Sequence, residues 1–215
     1  MKALLLILIQ CYFAMFPDQA NEALDFVKTH RQEINTQLKS LTTEERKIAI
    51  SIVAPEISQY SSVTDFLELR TLFIMYRNFG RSNFSVGYFS MKPKFIESLE
   101  NEIMRDKDLK KKHGFLLPKG NEKQKRETRL MRLSETEWQL KYLLAFIDVV
   151  KKKTKNIKFQ NSEEKLRYWA TLYNSGFYLS PDKVKSYQQK KFFPHGKKTH
   201  NYADIAVEFY NKITL

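Results

Sequence analysis

The 215-residue sequence predicts a mainly α-helical domain with a buried central helix and a basic insertion. Three observations lead there. Apolar residues recur at helical spacing, as in Leu166, Trp169, Ala170 and Tyr173 at i, i+3, i+4 and i+7. Helix-start signals such as Thr42-Thr43-Glu44-Glu45 precede several of these stretches. No alternating apolar–polar run of useful strand length occurs. With 42% hydrophobic residues and only 6 Gly and 6 Pro, the chain can fill a core, which excludes a disordered or low-complexity protein. The mean hydropathy of −0.50 excludes a polytopic membrane protein.

The elements follow in order. Met1 to Ala20 opens with Lys2, runs almost unbroken as apolar residues from Ala3 to Phe16, and breaks at Pro17. This pattern predicts a secretory signal cleaved near Ala20, and hence an exported protein, periplasmic or extracellular. The run is shorter than the ~20 residues of a membrane span. Cys11 follows Gln10 rather than a small residue, which argues against lipidation. Cleavage would remove one Lys and one Asp, so the charge of +13 belongs to the remaining domain, residues 21–215.

Helices are expected over Glu22 to Lys39, from Thr42 through Val53, over Val63 to Phe79 and over Lys92 to Met104. Arg105 to Arg132 is dense in Lys and Arg, contains Gly114, Pro118 and Gly120, and has poor periodicity, so it reads as a basic loop or mobile insertion. Ser134-Glu135-Thr136-Glu137 reads as a second capping box before an apolar helix through Trp138, Tyr142, Phe146, Ile147 and Val150. Asn161 with Glu164 caps the next helix, and Gly176 ends it. Ser180-Pro181-Asp182 and Asn201 open the last two.

The basic surface, with a pI near 9.6, calls for a polyanionic partner: nucleic acid, anionic lipid or an acidic envelope polymer. One cysteine excludes a disulfide framework or a multi-Cys zinc site. His195 and His200 have no carboxylate or Cys at ligand spacing, so no metal is expected. No cofactor motif is present. The helix-end residue Glu56 follows the apolar run Ile52-Val53-Ala54-Pro55, a setting that raises a carboxyl pKa toward neutrality. Such an acid can protonate the leaving oxygen of a glycosidic bond. A single acid suffices where an N-acetyl sugar offers its own amide oxygen as nucleophile. Asp65 and Glu68 are the nearest candidates for a second carboxylate.

Four segments stand in order: Ala54-Pro55-Glu56-Ile57, Gly87-Tyr88-Phe89-Ser90-Met91-Lys92-Pro93, Leu172-Tyr173-Asn174-Ser175-Gly176 and Asn201-Tyr202-Ala203-Asp204. Together they resemble the lysozyme-like fold, most closely the soluble lytic transglycosylases and goose-type lysozymes (glycoside hydrolase family 23), over a core of about 42–210. The resemblance implies that Glu56 is the catalytic acid. It implies that Gly87, Ser90, Met91, Tyr173, Asn174 and Tyr202 bind substrate or support that acid. The expected activity is cleavage of peptidoglycan between N-acetylmuramic acid and N-acetylglucosamine, with the glycan strand as partner and no cofactor. Ser90 stands where the family usually has Gln, and Ile57 where it has Ser. These departures define the alternative, a catalytically degenerate module that binds glycan or protein. A basic nucleic-acid-binding protein is the third reading, disfavoured by the export signal and by the absence of a binding motif.

Overall fold

A computed structural model describes residues 11–60, 66–81 and 83–215, with 66–70 as backbone. Helix accounts for 69% of the described residues, so the mainly α expectation holds. The described elements are α1 (Tyr12–Met15), α2 (Pro17–Thr29), α3 (Arg31–Gln37), α4 (Thr43–Ile57), α5 (Phe66–Phe79), α6 (Pro93–Arg105), α7 (Lys107–His113), α8 (Glu122–Leu133), α9 (Thr136–Lys153), α10 (Ser162–Ser175), α11 (Pro181–Tyr187) and α12 (Tyr202–Lys212). A 3-10 turn covers Gly114–Leu116. Between α11 and α12 lies a two-stranded antiparallel hairpin, β1 (Phe193–His195) and β2 (Lys198–His200), in register Phe193 to His200. Among the described residues, no helix is long and apolar enough to cross a membrane.

Two helices are buried on most faces because their sequences are apolar on most faces. In α4, Ile48, Ile50, Ile52, Val53 and Ala54 are fully enclosed, and the helix packs against α2, α9, α10 and α12. In α9, Tyr142, Leu143, Phe146, Ile147 and Val150 are buried, as expected of a central helix. Trp138 instead lies at the rim, its ring held between the Arg132 guanidinium at 4.2 Å and the Lys141 ammonium at 4.3 Å. The α4 start is the expected capping box: Thr42 Oγ1 accepts from Glu45 N–H, and the Glu45 carboxylate accepts from Thr42 N–H.

Several boundaries differ from the sequence expectation. The expected single helix over 22–39 begins at Pro17 and is interrupted at His30, whose ring stacks on Phe26 and bonds the Phe26 carbonyl at 2.9 Å. The expected helix over 63–79 is observed from Phe66, and residues 63–65 lie outside the described residues. The expected box at Ser134 does not form: α9 starts after Glu135 with no side-chain cap, because Ser134 Oγ donates back to the Leu130 carbonyl of α8.

The stretch 105–132 is not a loop or mobile insertion. It folds as α7, the 3-10 turn and most of α8, the last opened by a capping box of Asn121 and Gln124. Leu109, Leu116 and Leu130 reach the core. Arg129 is buried against Glu100, with Nη2 to Oε2 at 2.7 Å. Here buried ion pairing does what apolar periodicity does elsewhere, which is why the pattern was invisible in a Lys/Arg-rich sequence.

The N-terminal segment is part of the packing. Ala20, beside the expected cleavage point, is fully buried within α2. The Glu208 carboxylate accepts from Tyr12 N–H at 2.9 Å, Phe13 N–H at 3.2 Å and the Cys11 thiol at 2.7 Å, closing the start of α1. The Tyr12 ring is 1% exposed, and its hydroxyl meets Ser58 Oγ and His195 Nδ1, both at 2.7 Å. A chain beginning at Asn21 loses this aromatic plug and leaves polar groups without partners. It is expected to be less stable than the chain beginning at Cys11 by about 3 kcal/mol, or roughly 6–12 °C in Tm. Thermal melts of the two chains by circular dichroism check this, and equal melting would show that the segment is dispensable.

Candidate active site

The last turn of α4 carries Glu56 to the floor of a cleft of about 550 Å³ between the α6 start, the α10 end and the hairpin. Pro55 lacks the N–H that would continue the helix ladder, and Ser58 closes the end by donating Oγ–H to the Pro55 carbonyl at 2.7 Å. Tyr202, at the first position of α12, donates its hydroxyl to the Ile52 carbonyl at 2.8 Å and so ties α12 to α4 one turn below Glu56.

The second wall is a tight turn. Val86 and Met91 pair through reciprocal backbone bonds of 3.1 and 3.2 Å, and Ser90 N–H bonds the Gly87 carbonyl. The reversal needs left-handed backbone at both ends of the loop. Gly87 supplies it at φ +73°, and Ser90 adopts it at φ +46°, a strained value for a residue with a side chain. Two side chains hold the strain in place. Gln139 of α9 accepts from Phe89 N–H and donates to the Leu133 carbonyl, both at 2.8 Å. Tyr173 of α10 donates its hydroxyl to the Phe89 carbonyl at 2.7 Å.

Five of the seven expected site residues line the cleft: Glu56, Ser90, Met91, Tyr173 and Asn174. Asn174 is exposed, whereas the Tyr173 proton is committed to the turn. Gly87 and Tyr202 are not among the residues lining the cleft. Gly87 shapes the turn against Gln139, and Tyr202 is 4% exposed with its hydroxyl directed at α4. The sequence reading passed over Lys92, Lys94 and Phe95 at the α6 start, Tyr178 after α10, and Gln59, Phe192 and Pro194, all of which line the cleft. Tyr178 and Phe192 are 71% and 57% exposed, the kind of bare aromatic face on which a sugar ring stacks. Exposed aromatics next to a helix-ending glycine and a hairpin were the available signal.

Burial pushes the Glu56 carboxyl up to about 7; the Ser90 hydroxyl, the Lys92 ammonium and the Tyr202 hydroxyl pull in the opposite direction. The Tyr202 proton has two acceptors, the Ile52 carbonyl and the Glu56 carboxylate. While it rests on Ile52, the phenol oxygen is free to accept the proton of neutral Glu56. Both Tyr173 and Tyr202 are held in the phenol form by burial and then by the nearby Glu56 charge. Among the described residues lining the cleft, Glu56 is the one carboxylate. Asp65 and the Glu68 side chain lie outside the described residues. Among the described residues no cluster of three or more His, Cys, Asp or Glu could hold a metal. His195 instead bonds Tyr12, and His200 packs edge-on to Tyr12 and Phe16.

Comparison with family models, with curated proteins and with solved structures finds no match to this chain.

A raised carboxyl has a consequence for stability. Between pH 4.5, the ordinary glutamate value, and about pH 7, the folded chain keeps a proton on Glu56 that the unfolded chain releases. The native state is therefore fully favoured below pH 4.5 by this group and loses that advantage as pH rises through 7. Relative to Glu56→Gln, the wild-type chain is expected to lose about 2.5 kcal/mol between pH 5 and pH 8. Urea denaturation of both proteins at the two pH values measures it, and parallel stabilities would place Glu56 in water.

Proposed function

We propose that this protein cleaves peptidoglycan glycan strands between N-acetylmuramic acid and N-acetylglucosamine, as a lytic transglycosylase with Glu56 acting first as acid and then as base. The observation that carries the proposal is a half-buried carboxyl, raised to about 7, as the one described carboxylate in a cleft rimmed by aromatic and amide side chains. An acid with that pKa is protonated in a substantial fraction at neutral pH and still basic enough after ionising to take a proton back.

The steps balance around one residue. Glu56 gives its proton to the glycosidic oxygen as the anomeric carbon–oxygen bond breaks. The carbonyl oxygen of the neighbouring 2-acetamido group closes onto the anomeric carbon, so no second carboxylate is needed. The Glu56 carboxylate then takes the proton of the sugar 6-hydroxyl. That oxygen displaces the acetamido oxygen and leaves a 1,6-anhydro ring. Asn174 is placed to hold the acetamido group, and Ser90 faces Glu56 from the strained turn. Tyr178 and Phe192, both exposed and lining the cleft, offer stacking faces. The order of the four sequence segments, similar to that of the soluble lytic transglycosylases, supports the same reading. A net charge of +13 suits an anionic cell-envelope polymer as the surface on which the protein works. The packing of Tyr12 and Ala20 into the fold argues against cleavage near Ala20, so export is proposed with that segment retained.

Digestion of purified sacculi followed by mass analysis of the products tests it. Anhydro-ended fragments support the transglycosylase. Reducing-end fragments would assign hydrolysis instead, and retained binding with no product would leave a binding module.

A further inference from the structure

The cleft holding Glu56 is bordered on the hairpin side by Gln59 and Pro194. A second depression of similar size, about 580 Å³, lies on the other side, bordered by Gln19, Glu22, Tyr60 and His195. Gln59 and Pro194 border both. Gln59 sits just past the end of α4, three residues beyond Glu56, with its backbone N–H on the Glu56 carbonyl at 3.0 Å. Its side-chain amide nitrogen donates to the Pro194 carbonyl of β1 and lies 3.3 Å from His195 Nδ1. The two residues therefore form a ridge joining the end of α4 to the hairpin.

The ridge is braced from below. Tyr12 Oη meets His195 Nδ1 on the hairpin side and Ser58 Oγ on the α4 side, each at 2.7 Å. Pro194 is fixed in φ by its ring and sits in the paired strand opposite Thr199. On the Glu56 side of the ridge, the Phe193 ring packs edge-on against Tyr202, with centroids 5.0 Å apart. One hydrogen bond opens at a cost of only about 1 kcal/mol. The Gln59 amide donates to the Pro194 carbonyl, and the buried Tyr12 ties the same hairpin to the end of α4, so opening the ridge disturbs more than that one bond.

We infer that the Gln59–Pro194 ridge closes one end of the Glu56 cleft to a continuous glycan strand, so that strands are processed from a terminus, with Gln59 as the specificity-determining residue. This rests on the glycosidase reading above. A strand crossing the cleft in both directions would have to pass through the Gln59 amide. A strand end stops against it and presents a bond near the terminus to Glu56.

The test uses the full chain and long glycan strands stripped of their peptides, either uncapped or carrying a bulky biotin–streptavidin cap at both ends. Fragment lengths are followed over time by size-exclusion chromatography. On uncapped strands the wild-type protein is expected to release the smallest fragments from the first time point, while the remaining strands stay near their starting length. Capping is expected to slow release at least tenfold. Gln59→Gly is expected to produce mid-length fragments early and to cut capped strands nearly as fast as uncapped ones. Equal wild-type rates on capped and uncapped strands overturn the ridge alone, and this arm does not depend on the variant folding. No product from uncapped strands, under conditions where the protein remains folded by circular dichroism, overturns the glycosidase reading and the ridge with it.

Discussion

Replacing Glu56 by glutamine is expected to lower release of soluble fragments from sacculi by at least about 10³-fold, while sacculus binding stays within a few-fold of wild type. Glutamine matches glutamate in shape and keeps hydrogen-bonding atoms toward Ser90 and Tyr202, so the cleft is preserved. It can neither give the leaving oxygen a proton nor remove one from the 6-hydroxyl, so both halves of the reaction fail together. The same acid governs pH dependence. Because the carboxyl titrates near 7 and must begin protonated, kcat/KM of the wild-type protein is expected to fall as pH rises above about 7. Quantitative mass spectrometry of released fragments measures both effects. A loss of less than tenfold in the variant would remove Glu56 from the chemistry.

The second large effect is on stability. Gly87→Ala is expected to destabilise the fold by about 3 kcal/mol or more, read from urea denaturation. A Cβ at this position would lie 1.8 Å from Gln139 Nε2 and 2.6 Å from the Leu133 carbonyl oxygen, at a φ of +73°. Gln139 cannot simply swing away, because its amide joins Phe89 N–H to the Leu133 carbonyl and is buried. Moving it would leave both backbone groups unpaired. Combining Gly87→Ala with Gln139→Ala is expected to recover only part of the loss, since the Leu133 carbonyl and the backbone strain remain. A Gly87→Ala protein as stable as wild type would mean that the turn can re-form without its left-handed corner.

These effects show which parts of the molecule could be read in advance. The Thr42 capping box, the buried α9, the Gly176 helix stop and the Asn201 cap were legible because each is local: a side chain bonds a backbone group three residues away, or an apolar face repeats every 3.6 residues. Glu56 was legible as a carboxyl at the end of an apolar run. The Ser134 box failed because the hydroxyl has a competing local acceptor in the Leu130 carbonyl. The helices between 105 and 132 were missed because Arg129 supplies a buried contact through its partner Glu100, and no pattern within one segment reveals a partner in another.

The candidate site divides along the same line. Residue type and order were enough to single out Glu56, Ser90, Met91, Tyr173 and Asn174. They gave no reason to pair Gln139 with the Gly87 turn, to commit the Tyr173 proton to Phe89, or to set Gln59 against Pro194, 135 residues away. Nor did they show that Tyr12, inside an apolar run, joins Ser58 to His195.

The linear chain by itself determined the helical class, most helix ends and a carboxyl in apolar surroundings, since periodicity and capping are settled by neighbours a few bonds apart. Only the tertiary structure decided how dry that carboxyl is, what holds the strained turn beside it and which distant residues line its cleft. Desolvation, strain and lining are each set by atoms that the chain brings together from distant positions.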